Sequence, residues 1–64
     1  MATTTQQIQQ CVQQCQQVAS QLRSMANAET NPKAKTMLNE GAHHLDLCVT
    51  ECQYSVQQIQ VAGQ

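Results

Sequence analysis

Four cysteines carry the most distinctive chemistry in this 64-residue chain, and they fall in two CxxxC motifs. Cys11 and Cys15 form the first motif, and Cys48 and Cys52 form the second. A spacing of four residues places both thiols of a motif on one face of a helix. The motifs are mirror images about the bond between residues 31 and 32, so a chain that folds back there brings Cys11 level with Cys52, and Cys15 level with Cys48.

Three interpretations of these thiols are open. The first is two disulfides, Cys11–Cys52 and Cys15–Cys48, and closing the inner loop would stabilise the fold by roughly 3–4 kcal/mol in the chain-entropy model. The second is a soft-metal site for copper(I) or zinc, with His44 as a further ligand because it lies four residues before Cys48. The third is that cysteine fills a narrow helix interface as a small apolar residue. A redox enzyme would favour CxxC at a helix N-terminus, and neither motif has that form.

The first CxxxC motif lies within a heptad pattern of apolar residues, which predicts an α-helix over about 4–28. Thr3 or Thr4, followed three residues later by Gln6 or Gln7, predicts a capping box at its start. The apolar stripe, which we call the inner stripe, consists of Ile8, Cys11, Cys15, Val18, Leu22 and Met25, widened by Val12, Ala19 and Ala26.

The second motif lies within a second predicted helix, over about 32–62. Asn31 is a good N-cap, Pro32 suits the first helical position, and Gly63 can stop the helix. Gly41 costs roughly 1 kcal/mol relative to alanine in a helix interior, which indicates close packing, with Leu22 on the opposite helix as its neighbour. The stripe of this helix consists of Ala34, Leu38, Gly41, Leu45, Cys48, Cys52 and Ile59, flanked by Ala42, Val49 and Val56.

The short connection between two long helices makes them antiparallel neighbours. The predicted fold class is therefore all-α, a single helical-hairpin domain over residues 1–64. A second apolar row on the second helix, Leu47, Tyr54 and Val61, lies about 180° from Leu45 and Cys52. A lone hairpin would leave this row in water. We therefore expect a homo-oligomer, in which the inner stripe completes a four-helix bundle and the row adds a further contact.

Composition narrows the classes of function. Three basic and four acidic residues give a net charge of −1, which provides no electrostatic footprint for nucleic acid or an anionic membrane surface. The chain has a single aromatic residue, Tyr54, so it must rely on a staple, a metal or copies of itself. The sequence contains no catalytic constellation, which predicts a non-enzymatic protein without a small-molecule substrate. It contains no signal peptide, which predicts a cytoplasmic product.

The facing CxxxC pairs resemble those of cysteine-rich four-helix-bundle copper-binding proteins, which line a bundle interior with such motifs. That resemblance implies thiolate ligands for copper(I) at the four cysteines. Under the disulfide interpretation, no cofactor is expected.

A second resemblance covers most of the chain. Its residues are the break Asn31-Pro32-Lys33-Ala34-Lys35, the stretch Gly41-Ala42-His43-His44, and the ending Val56-Gln57-Gln58-Ile59. Together with the glutamine-rich first helix, they resemble small helical-hairpin proteins of spore-forming Bacillus- and Clostridium-type bacteria, including relatives of spore-coat proteins. The resemblance implies association with sporulation or the spore coat, where late oxidation favours disulfides.

Overall fold

A computed structural model describes residues 3–62, and within them the chain forms two long helices and a short turn. Helix α1 spans Thr4–Ala28 and helix α2 spans Pro32–Ala62. The two helices pack against each other along their length, which confirms the predicted all-α hairpin. Gly63, the predicted stop of the second helix, lies outside the described residues.

The start of α1 has the predicted capping box. The Thr3 hydroxyl accepts a hydrogen bond from the Gln6 backbone N–H at 3.1 Å, and the Gln6 side-chain oxygen accepts one from the Thr3 backbone N–H at 2.9 Å. These bonds satisfy two backbone donors that would otherwise lack an intrahelical partner.

The turn between the helices is built by the side chains of Glu29 and Asn31 together with backbone groups. The Glu29 N–H donates to the Ala26 carbonyl, and the Glu29 carboxylate accepts from the backbone N–H groups of Thr30 and Asn31. The Asn31 side-chain oxygen then accepts from the Ala34 N–H at 3.0 Å, which confirms Asn31 as the N-cap of α2. The turn therefore ends one helix and starts the next within three residues, which fixes the antiparallel arrangement.

The seam between the helices is centred on small side chains. The buried residues are Val12, Ala19, Ala26, Ala42 and Val49. The sequence treated Val12, Ala19 and Ala26 only as residues that widen the inner stripe, whereas the structure buries these three and leaves part of the stripe itself exposed. Cys11 is exposed, Val18 is 43% exposed and Met25 is 50% exposed. Alanine and valine occupy the centre because they let two helix backbones approach closely, whereas the larger side chains lie at its edge.

Candidate functional site

The four cysteines lie on one side of the seam. Cys15, Cys48 and Cys52 are half-buried beside it, and Cys11 is exposed at its edge. All four are free thiols, so the disulfides that the spacing predicts are not formed in the structure.

Cys15 on α1 and Cys48 on α2 lie close enough across the seam for Cys48 to affect the ionisation of Cys15. Burial raises the pKa of the Cys15 thiol, and the charge and hydrogen bonding of the neighbouring Cys48 thiol raise that pKa further. A smaller contribution comes from the charge of Cys11, on the same helix. The neutral thiol is therefore favoured at Cys15, because a thiolate there would be poorly hydrated and close to other thiols.

Cys52 belongs to the same cluster. Burial raises its pKa first, followed by hydrogen bonding and charge interaction with Cys48 and then by the charges of Cys15 and Cys11. Cys48 therefore contributes to the raised pKa of both Cys15 and Cys52. We call these residues, Cys11, Cys15, Cys48 and Cys52, the thiol cluster.

The register of the thiol cluster agrees with an independent contact. A Cβ atom added to Gly41 would lie 3.6 Å from Leu22 Cδ1, so Leu22 and Gly41 are opposite each other across the seam, as the sequence predicts. Counting seven residues from each towards the open end of the hairpin leads to Cys15 and Cys48. The same contact also corrects an expectation: 3.6 Å is an ordinary van der Waals distance, so packing within the hairpin does not require glycine at position 41.

His44 and the thiol cluster do not together form a metal-binding site in the structure. Its side chain is exposed, and its ring lies edge-on to that of His43 with 6.4 Å between centroids. Within residues 3–62, no group of three or more histidine, cysteine, aspartate or glutamate side chains is arranged to hold a metal ion.

The two flanks of the seam differ in chemistry. One flank, which we call the cysteine face, is formed by two rows of residues that recur every seven positions. Its members are Cys11, Val18 and Met25 on α1, and Gly41, Cys48 and Ser55 on α2. The Ser55 hydroxyl donates to the Glu51 carbonyl at 3.0 Å, so its hydrogen atom is already used within α2.

The opposite flank, which we call the glutamine face, is polar. Its members are Gln9, Gln13, Gln16 and Arg23 on α1, and Asp46, Gln53 and Gln57 on α2. Arg23 forms an ion pair with Asp46 across the seam, and both side chains are about half exposed. Sequence reasoning missed this pair. The signal was available, because two of the few charged residues lie on matching flanks of the predicted helices.

The row that the sequence assigned to an oligomer interface is exposed. Leu47 is 50% exposed, Tyr54 is 61% exposed and Val61 is 66% exposed, all on the side of α2 that faces away from α1. We call these three residues the outer row. Neither helix, over the residues described, has an apolar stretch long enough to cross a bilayer.

Comparisons with models of known protein families, with curated proteins and with solved structures find no match to this chain.

Proposed function

We propose that this chain is a non-enzymatic structural protein, a helical hairpin that is held by paired cysteines and assembles with copies of itself. The observation that carries the proposal is the register of the hairpin, in which Leu22 lies opposite Gly41 and the residues seven positions further along are Cys15 and Cys48. The proposed disulfides are Cys15–Cys48 and Cys11–Cys52.

The register of the helices supports both pairs. Leu22 lies opposite Gly41, and the same antiparallel offset places Cys15 opposite Cys48 and Cys11 opposite Cys52. Small residues at the centre of the seam keep the two backbones close. A disulfide needs such proximity, since the Cα atoms that it joins lie within about 7 Å of each other.

Formation of each bond removes two electrons and two protons from a pair of thiols. The oxidant that accepts them is a low-molecular-weight disulfide, and exchange proceeds through attack by a thiolate. Exposed Cys11 offers the more accessible thiol of its pair, whereas the raised pKa values of Cys15 and Cys52 slow attack from those positions at neutral pH.

The energetic reason for cross-links is the small size of the core. Its five buried side chains are only alanine and valine, with no buried aromatic or leucine residue among those described. A core of this kind supplies little of the free energy of unfolding, and a chain of this length commonly needs a staple. A disulfide across the helices contributes roughly 3–4 kcal/mol in the chain-entropy model, which is comparable with the whole stability of such a domain.

The resemblance to hairpin proteins of spore-forming bacteria supports a setting for this role. We place the protein in the cytoplasm at synthesis and in the spore or spore coat at maturity. Oxidation after assembly would convert the thiol cluster into covalent links at that stage.

The test is the intact mass of the protein after exposure to oxidised glutathione, measured without reductant. Two intramolecular disulfides lower the mass by about 4 Da, because each bond releases two hydrogen atoms. Peptide mapping should then join Cys11 to Cys52 and Cys15 to Cys48. The matched control is the double variant Cys15→Ser, Cys48→Ser, which can form only the Cys11–Cys52 bond and should lose about half as much mass.

An unchanged mass would overturn the disulfide proposal. If copper(I) or zinc then remains bound after desalting, the soft-metal alternative at Cys11, Cys15, Cys48 and Cys52 takes its place. His44→Ala would show whether the imidazole is one of the ligands.

A further inference from the structure

We infer that the cysteine face is the surface through which two copies of this chain pack, forming a four-helix bundle. The inference rests on the proposed self-association and adds the choice of surface. That surface is the pair of rows defined above, with Val18 and Met25 on α1 facing outward beside Gly41 and Ser55 on α2.

The hairpin exposes more surface than a compact monomer of its mass, which indicates that its broad face is covered by another layer of helices. The chain exposes 4,972 Å², whereas a compact monomer of this mass would expose about 4,100 Å². Its radius of gyration is 14.9 Å, against about 11 Å for a compact domain of this length. The Cα atoms extend over 51 × 20 × 10 Å, which is a single layer of two helices. Stable domains usually have two layers packed around one core, so a second layer on the broad face would complete the core of this hairpin.

A second copy fits this area. A broad face of 51 × 20 Å has a footprint of about 1,000 Å², and a stable interface buries about 800 Å² on each partner. The face has the full length of both helices, so an identical hairpin covers it without overhang.

Charge and shape favour the cysteine face over the glutamine face. The two rows that define the cysteine face contain no charged residue, whereas the glutamine face carries the Arg23–Asp46 ion pair. The cysteine face has its large exposed side chains, Val18 and Met25, on α1 and its small residues on α2. In a two-fold symmetric dimer, the large row of each copy can pack onto the small row of the other.

The proposed dimer explains the presence of glycine at position 41, which packing within the hairpin does not explain. A Cβ there would be accommodated beside Leu22, so glycine is not needed for contact between α1 and α2. A side chain from a second copy would occupy the space above it.

The outer row is less suited than the cysteine face to form the main interface between two copies. Leu47, Tyr54 and Val61 lie on one helix, at the narrow edge of the layer, so they offer a strip only one helix wide. Packing there would leave the broad apolar face in water.

Sedimentation equilibrium of the full chain in reductant tests the inference without interference from disulfides. We expect the wild type to dimerise and Met25→Glu to raise the dissociation constant at least tenfold, because the symmetric interface would bury two like charges. The matched control is Leu47→Glu, at a residue with the same 50% exposure, and it should leave the dissociation constant unchanged. Val18→Gln, which adds no charge, should weaken the dimer by a smaller factor.

Circular dichroism of each variant verifies that the helices are retained. A dimer that survives both Met25→Glu and Val18→Gln, but dissociates with Leu47→Glu, would overturn the choice of surface and leave self-association intact. A wild-type chain that stays monomeric would overturn self-association itself, and the disulfide proposal would then rest on the mass measurement alone.

Discussion

The cysteine face and the glutamine face lie on either side of one seam and share its register, but they hold the helices together in different ways. On the glutamine face, the contact between helices that the structure records is an exposed ion pair, and water can satisfy the amides. On the cysteine face, Val18 and Met25 remain exposed, and the half-buried thiols of Cys15 and Cys52 lie on the same side of the seam. An amphipathic hairpin can therefore be polar and self-sufficient on one side while it depends on covalent links or a partner on the other.

The glutamine content of the chain explains how a protein with so few charged residues can have a polar surface. Fourteen glutamines supply most of the polar surface, and only seven residues are formally charged. Amides hydrate a surface without strong mutual repulsion, and a net charge of −1 does not oppose association of copies.

Removing the second motif with Cys48→Ser and Cys52→Ser should give the largest effect on stability. No disulfide across the helices can then form, so the oxidised variant should lose about 3–4 kcal/mol in free energy of unfolding, or on the order of 15–30 °C in Tm. Thermal unfolding followed by circular dichroism provides the measurement. In reductant the two proteins should differ far less, and equal losses in both conditions would point to packing or metal binding instead.

Breaking the ion pair on the glutamine face should have a much smaller effect. Arg23→Ala should lower the free energy of unfolding by about 0.2–1 kcal/mol, because both partners are solvent-exposed. A double-mutant cycle with Asp46→Ala isolates the interaction, and added salt should reduce it. Gln16→Ala, in the same row, is the control. A loss as large as that of the double cysteine variant would mean that both faces hold the hairpin equally.

The pH dependence of the reduced protein should show the smallest effect. Burial and neighbouring thiols raise the pKa of Cys15 and of Cys52 in the folded state. Unfolded thiols therefore lose their protons at lower pH than folded ones. The resulting stabilisation is complete below the unfolded thiol pKa and is lost as the pH rises through the raised values.

Chemical denaturation of the reduced protein at pH values from about 7 to about 10 measures this loss. The Cys15→Ser, Cys52→Ser variant should show a shallower decline over the same range. Stability that increases with pH would contradict the raised pKa values.

The sequence was sufficient to predict both helices because their ends are marked by local chemistry. The Thr3–Gln6 capping box and the Asn31–Pro32 start need only neighbouring residues, and each is present in the structure. The register across the seam also followed from the sequence, because the length of the turn leaves little freedom, and the contact of Leu22 with Gly41 agrees with it.

The rotation of α1 about its axis was not predictable from hydrophobicity. Two overlapping heptads run through this helix, one through Cys11, Val18 and Met25 and the other through Val12, Ala19 and Ala26. Both are apolar, so the period alone does not choose between them. Close approach of one partner helix favours the smaller set, which is a property of packing in three dimensions.

The position of the thiol cluster along the hairpin has a mechanical consequence. The turn joins the helices at one end, and the helix ends at Thr4 and Ala62 lie beyond the thiol cluster at the other end. Disulfides at the cluster would cross-link the two helices partway along their length. About 20 Å of α1 would then be held between the Cys15 cross-link and the turn, while the part of α1 before Cys11, about 10 Å long, could still separate from α2. Amide protons between the cross-links and the turn would exchange slowly with water, and those beyond the cross-links would exchange as the helix ends fray.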